Sequence, residues 1–369
     1  MRFFTLIGLA VSFLFTFVDA PRAEKVITDA LGRSVSVPAK VEDVICSGSG
    51  CLRLLTYLQA QDMIVAVDDM ETRRSRFDSR PYALANPWFK TMPVFGEFRG
   101  QDNPELILTL EPQPQVILKT YSSSMGHDPA KLQDKTGIPV VALNYGDLGR
   151  MRPELYETLR TIGRIVGKTD RAEAVIAYFE NTIADLEART ADIPESERPS
   201  VFLGGVAFKG PHGFQSTEPV YPPFQFVNTR NLAYDESSSL RELRHSDIAK
   251  EQIVKWDPEY LFLDLSTLQL GENMGGLKEL RQDPAYQSLT AVQKGRVYGL
   301  LPYNWYTKNY GSILANAYYV GKLLYPDRFR DVDPVAKADE IYTFLVGKPV
   351  FDMMNSAFGN FAYTKIPVQ

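Results

Sequence analysis

The chain has 369 residues, 44% of them apolar, with 45 acidic against 40 basic side chains and a formal net charge of −5. That length makes about two domains, and the composition excludes a largely disordered chain. An acidic excess without a long basic run argues against nucleic acid as a partner.

Residues 1–23 read as a secretory signal. Arg2 supplies the positive start, Phe3 to Val18 the apolar stretch, and Ala20 and Ala23 the small residues of a cleavage site. Pro21 disfavours a cut after Ala20, so the cut is expected after Ala23. The apolar run has 16 residues, short of the ~20 that span a bilayer. No cysteine lies near the cut, so no lipid anchor is expected. The mature chain is expected outside the cytoplasm. There Cys46 and Cys51, which bracket Ser47-Gly48-Ser49-Gly50, either form a bridge that fixes this loop or remain free thiols pointing apart.

Val26 to Pro38 reads as a hairpin turning at Leu31-Gly32-Arg33. Val41 to Ile45 is an apolar strand, followed by a Gly/Ser turn and a helix from Cys51 to Ala60. Met63 to Val67 is the next strand. Asn103 caps a helix that opens on Pro104 and runs to about Leu110. Val116 to Leu118 and Pro139 to Leu143 are further strands. This alternation predicts an α/β lobe with a parallel sheet over 24–150.

Residues 151–198 read as a helical connection. Leu155, Leu159, Ile162 and Val166 share one helix face, which ends at Gly167. Asp170 and Glu173 form a capping-box-like start, and Val175, Phe179, Ile183 and Leu186 carry a helix over about 170–190. At 1.5 Å per residue it spans roughly 30 Å, enough to bridge two lobes. The α/β pattern restarts over 199–369, with strands at Val201–Ala207, Tyr260–Leu265 and Val297–Leu301, and helices from about Ser312 to Tyr325 and Ala336 to Leu345.

Catalytic templates fail on this chain. Gly163-Arg164-Ile165-Val166-Gly167-Lys168-Thr169 has three residues between its glycines where a phosphate loop needs four, and it joins two helices. Cys46-Ser47-Gly48-Ser49-Gly50 lacks the leading glycine of a nucleophile elbow. Two cysteines and three histidines (His127, His212, His245) leave little for a disulfide scaffold or a metal centre. Neither an enzyme nor a resident cofactor or metal is expected.

Several stretches together resemble the class III substrate-binding proteins of bacterial ABC importers, which bind ferric siderophores, haem or cobalamin, with a molybdate and tungstate branch. They are Asp29-Ala30-Leu31-Gly32-Arg33-Ser34-Val35, Val44-Ile45-Cys46-Ser47-Gly48, Asn103-Pro104-Glu105-Leu106-Ile107-Leu108 and Lys250-Glu251-Gln252-Ile253-Val254. The resemblance implies two Rossmann-like α/β lobes joined by a single long rigid helix, with a ligand cleft between them. It implies a periplasmic monomer that hands its ligand to a permease dimer with ATPase subunits. Glu105 and Glu251 match the glutamates that dock on permease arginines. Ala249 stands where the family often has a serine cap, so Ser246 is the alternative cap.

Loops after strands line such a cleft. Ser47 and Ser49 lie in a turn whose N–H groups suit an anion. Arg80, Tyr82 and Arg99 offer charge and hydroxyl to oxygen-rich ligands. Lys119, Tyr121 and Asp264 sit at strand ends. His212, Phe214 and Gln215 occupy a glycine-rich loop, and Tyr303, Trp305 and Tyr306 another. Three aromatics in four residues cannot share one face of an extended segment, so at least one is expected to face the cleft. The mix suits an anionic metal complex, with an iron chelate as the resemblance's commonest ligand. A bare oxyanion, cobalamin or haem are the alternatives.

Overall fold

The computed structural model describes residues 24–234, 245–271 and 273–368, so the expected signal segment, 1–23, lies outside the described residues. A hairpin of Glu24–Thr28 and Ser34–Pro38 opens the described chain. Six strands then form one sheet in the order Gln101–Asp102, Val94–Glu97, Ile64–Asp68, Val44–Ser47, Val116–Thr120, Val140–Leu143. All neighbours are parallel except the antiparallel edge pair Val94–Glu97 and Gln101–Asp102. The chain runs outward from Val44–Ser47 to one edge and then returns to its other side. That reversal opens a crevice beyond the strand ends at Ser47 and Thr120.

The second sheet has four parallel strands in the order Arg230–Asn231, Ser200–Gly204, Tyr260–Asp264, Val297–Leu300. Ser200–Gly204 is buried throughout, as a strand covered by helices on both faces must be.

Between the sheets run the helices Arg152–Val166 and Thr169–Thr190. Gly167 turns the chain with φ 70°, a left-handed conformation that costs glycine little. Thr169–Thr190 buries Val175, Phe179, Ile183 and Leu186, the expected face. The expected capping box does not form: no side chain caps the helix, and Glu173 instead pairs with Arg160 at 2.7 Å.

This helix does not join the lobes alone. Tyr310–Leu324 is buried almost all round, and Pro334–Val346 packs beside it. The latter also reaches the first lobe: Gln59 Nε2 donates to the Leu345 carbonyl at 3.2 Å. Just beyond it, Lys348 Nζ donates to the Ala85 carbonyl at 2.6 Å. One apolar core accordingly runs through both lobes.

The helix Pro104–Leu108 is capped as expected, with Asn103 Oδ1 accepting the Glu105 and Leu106 N–H groups at 3.0 and 3.1 Å. Lys250–Trp256 starts after Ala249 with no side-chain cap. Ser246 does not cap it and instead pairs with Thr217 in a short strand. Glu105 and Glu251 both end up exposed in a first helical turn.

Candidate ligand cleft

Loops that follow strands in both sheets wall a cavity of about 410 Å³. The first lobe contributes Ser49, the segment from Met70 to Arg80, and Phe98 with Arg99. The second contributes Ala207 with Lys209 to Pro211, Gln269, and Asn304 to Thr307. Four cations (Arg73, Arg80, Arg99, Lys209) and three aromatic rings (Phe98, Trp305, Tyr306) stand in this wall.

Two guanidinium groups lie against one ring. Arg73 and Arg99 are 4.6 and 4.9 Å from the centre of Phe98, within cation–π range. Arg73 also pairs with Asp69 at 2.5 Å. Arg80 is placed differently. It is buried, its fork meets Asp78 at 3.0 and 2.9 Å, and Nη1 meets Glu71 at 2.8 Å. Tyr82 donates to the other Glu71 oxygen at 2.6 Å. Burial pushes the Glu71 carboxyl above its usual range, and Arg80 pulls it back.

Tyr306 ties the second lobe to the first. Its hydroxyl donates to Asp68 and accepts the Arg99 N–H at 3.1 Å. Burial and then the Glu71 charge push Asp68 up to about 7, opposed by the Tyr306 hydroxyl and Arg80. The loop carrying Tyr306 is strained, with Tyr306 and Thr307 at φ 49° and 63°, a region that ordinary side chains avoid.

Arg53 holds that strain in place. It is fully buried in the helix Cys51–Tyr57. Its Nη1 donates to the Lys308 carbonyl at 2.9 Å, and its Nη2 to those of Trp305 and Tyr306 at 3.0 and 3.1 Å. Arg53 also donates to the Tyr145 hydroxyl, which itself donates to the Lys308 carbonyl at 2.6 Å. A first-lobe residue thus fixes a second-lobe wall of the cleft.

The profile of the periplasmic binding protein family matches residues 44–303. The chain belongs to that family. Among relatives, the molybdate-binding protein MolA of Haemophilus influenzae is 22% identical over 344 residues, covering 87% of this chain and 90% of MolA. The iron-uptake system-binding protein of Bacillus subtilis is 21% identical over 220 residues, 57% of this chain and 62% of the relative. The solved structure of MolA with molybdate superposes with TM-score 0.65 at 19% identity, over 88% of this chain and 98% of that one. The TroA-like periplasmic binding protein FepB of Veillonella parvula gives 0.63 at 20% identity, over 88% and 96%.

In this family member the structure brings together only part of the expected site. Ser49, Arg80, Arg99, Trp305 and Tyr306 reach the cavity, with the Arg80 charge committed to its two acids. Tyr82 is core, closed over by its bond to Glu71. Ser47 is buried and accepts from Lys119 Nζ at 3.0 Å. Lys119 is in turn paired with buried Asp102 at 2.5 Å, so it does not serve the cleft either. Tyr121 lies off the cavity wall. Phe214 packs edge-on against Phe202 and Tyr286, and Tyr303 lies tilted against Tyr221. His212 also stands off the wall, with Nε2 bonded to the Phe208 carbonyl at 2.7 Å. Gln215 donates to the Ile248 carbonyl at 3.2 Å. Asp264 is buried and caps the next turn through the Ser266 N–H at 2.9 Å, and burial pushes its carboxyl up to about 7. Cys46 and Cys51 are not bridged. Both are buried free thiols, Cys51 donates to the Leu118 carbonyl at 3.3 Å, and burial pushes the Cys46 thiol up.

Arg53, Arg73 and Lys209 escaped the sequence reading. Each had a signal. Arg53 is the lone charge in the leucine-rich Cys51–Tyr57 helix, Arg73 opens the run Arg73-Arg74-Ser75-Arg76, and Lys209 directly precedes the glycine-rich loop.

Proposed function

We propose that this periplasmic binding protein carries an anionic metal complex, an iron chelate of the siderophore type, to the permease of an ABC importer. In this reading residues 1–23 are removed on export. Residues 24–150 and 199–369 are the two jaws, 151–198 connect them, and the protein acts as a monomer. Glu105 and Glu251 meet arginines of the permease.

The observation that carries the ligand is the cavity itself. About 410 Å³ falls in the range that holds a drug-sized molecule, and a bare tetrahedral oxyanion would fill a small part of it. Arg73, Arg99 and Lys209 supply positive charge, and Phe98 and Trp305 supply flat apolar surface. Charge-assisted bonds to ligand oxygens and stacking on ligand rings can then act together.

The oxyanion reading has in its favour the similarity to MolA along most of the chain, in sequence and in fold. Calorimetric titration separates the two. A ferric tris-catecholate complex is expected to bind, and at about a hundredfold excess over Kd to stabilise the fold by about 2.7 kcal/mol. Binding of molybdate with no response to the ferric complex would replace the chelate reading.

A further inference from the structure

A strand sends successive side chains to opposite faces of its sheet. In Val44–Ser47, Ile45 joins the apolar cluster on one face, and Val44 and Cys46 join the cluster on the other, which also holds Cys51 and Leu52 of the following helix. The two cysteines therefore share one side of the sheet, at either end of the turn Ser47-Gly48-Ser49-Gly50. Both stand by the same residue of the neighbouring strand: Cys46 is in register with Leu118, and the Cys51 thiol donates to the Leu118 carbonyl at 3.3 Å. The turn between them is closed by the Cys51 N–H, which donates to the Gly48 carbonyl at 3.3 Å. Burial, and after it a hydrogen bond with the Cys51 thiol, push the Cys46 thiol up. The two sulfurs are thus neighbours without a bond between them.

The turn they bracket is part of the cleft. Ser49 lines the cavity, and its carbonyl accepts from Thr120 Oγ1 at 3.0 Å. A Cβ on Gly50 would come within 2.1 Å of the Tyr145 ring and 2.6 Å of the Thr307 side chain. The turn therefore packs directly against the strained loop of the second lobe. The helix that Cys51 opens carries Arg53, whose fork holds that same loop. A change in the stiffness of the turn accordingly reaches the cleft through Ser49, Thr307 and Arg53.

We propose that Cys46 and Cys51 are a redox-sensitive pair that sets the stiffness of the cleft floor, as two thiols when reduced and as a disulfide when oxidised, with ligand held longer by the oxidised form. This rests on export of the chain and on the reading of the cleft as the ligand site. Outside the cytoplasm the oxidant is the disulfide of a thiol–disulfide exchange partner. One cysteine, as thiolate, attacks a sulfur of that disulfide, and the second thiolate then displaces the partner from the mixed disulfide. The Cys46 Sγ–Cys51 Sγ bond forms and the partner's S–S bond breaks. Two electrons pass to the partner, which leaves as two thiols carrying the two protons. Both cysteines are buried, so exchange is slow once the turn is packed and fastest while it folds. The bridge removes freedom from the turn, and a wall ordered beforehand loses less on binding a ligand.

Wild-type protein refolded in mixed reduced and oxidised glutathione, compared with the same protein kept in dithiothreitol, tests this. Free thiols counted after denaturation are expected to fall from two to none, with a mass loss of about 2 Da. Amide hydrogen exchange over 47–52 and 305–309 is expected to slow at least about threefold in the bridged form. Dissociation of ferric tris-catecholate, or of molybdate where that is the probe that binds, is expected to slow at least about threefold as well. Cys46→Ala is expected to match the reduced wild type in both reagents. Two free thiols after refolding, or a glutathione adduct in place of the bridge, overturn the proposal. So does a bridge that leaves exchange over both segments unchanged, or one that leaves the dissociation of a bound probe unchanged or faster. If neither probe binds, the ligand reading fails, and the exchange data alone decide whether the pair stiffens the cleft floor.

Discussion

Glu105→Ala combined with Glu251→Ala is expected to abolish import while leaving ligand affinity unchanged. Both carboxylates are exposed in first helical turns, one per lobe. Exposed charges contribute little to fold stability, so the variant should fold normally. Neither residue lines the cleft, so ligand should bind normally. What is lost is directional pairing with guanidinium groups on a partner. The surroundings of Glu105 suit a partner surface, because Leu106 and Leu108 beside it are 42% and 44% exposed. Uptake of labelled ligand by cells carrying the importer, with ligand titration of the purified variant, checks both halves. Unchanged uptake would reject the docking assignment. Lost uptake together with lost ligand binding would show that the substitutions damage the protein itself.

Arg53→Met is expected to have the largest effect inside the molecule. Three carbonyls of one loop would lose the Arg53 donor, with Tyr145 still donating to that of Lys308 and Asn309 to that of Trp305, and the Tyr145 hydroxyl would lose a partner. Buried polar groups left unpaired cost about 1–3 kcal/mol each. Partial relaxation makes about 3–5 kcal/mol the expected total. The left-handed Tyr306 and Thr307 are then free to relax, and the cleft wall moves with them. Ligand affinity is expected to fall at least about tenfold, the equivalent of about 1.4 kcal/mol. Arg53→Lys should recover little, since one ammonium lacks the planar fork that reaches three oxygens. Tyr145→Phe is the milder variant, losing about 1 kcal/mol. Urea unfolding and ligand titration read the two effects separately. Wild-type stability and affinity in Arg53→Met would show that the loop is held by other contacts.

The legibility of the chain followed burial. Strands covered on both faces, such as Val44–Ser47 and Ser200–Gly204, stood out as apolar runs bounded by turns. The helix Thr169–Thr190 announced itself through its buried stripe. Two of the four edge strands of the two main sheets did not: Gln101–Asp102 and Arg230–Asn231 are two residues long and polar, so nothing in their composition separates them from loops.

The cleft was half legible because position after a strand says where a loop is and not which way its side chains turn. Tyr303 and Tyr306 illustrate this. They lie three residues apart, yet one packs into the core and the other reaches across to Asp68. Arg80 and Arg99 both looked like free cations. Only Arg99 is, because Asp78 stands two residues before Arg80 and folds back onto it. The Arg53 clamp depends on residues about 250 positions apart in the chain, and no local pattern encodes such a contact.

Native mass spectrometry of the protein purified from its own periplasm tests the central claim most directly. A non-covalent mass increase of several hundred daltons, with an iron isotope signature and lost on chelate removal, is the predicted result. An increase of one molybdate, or a ligand without a metal, would contradict it.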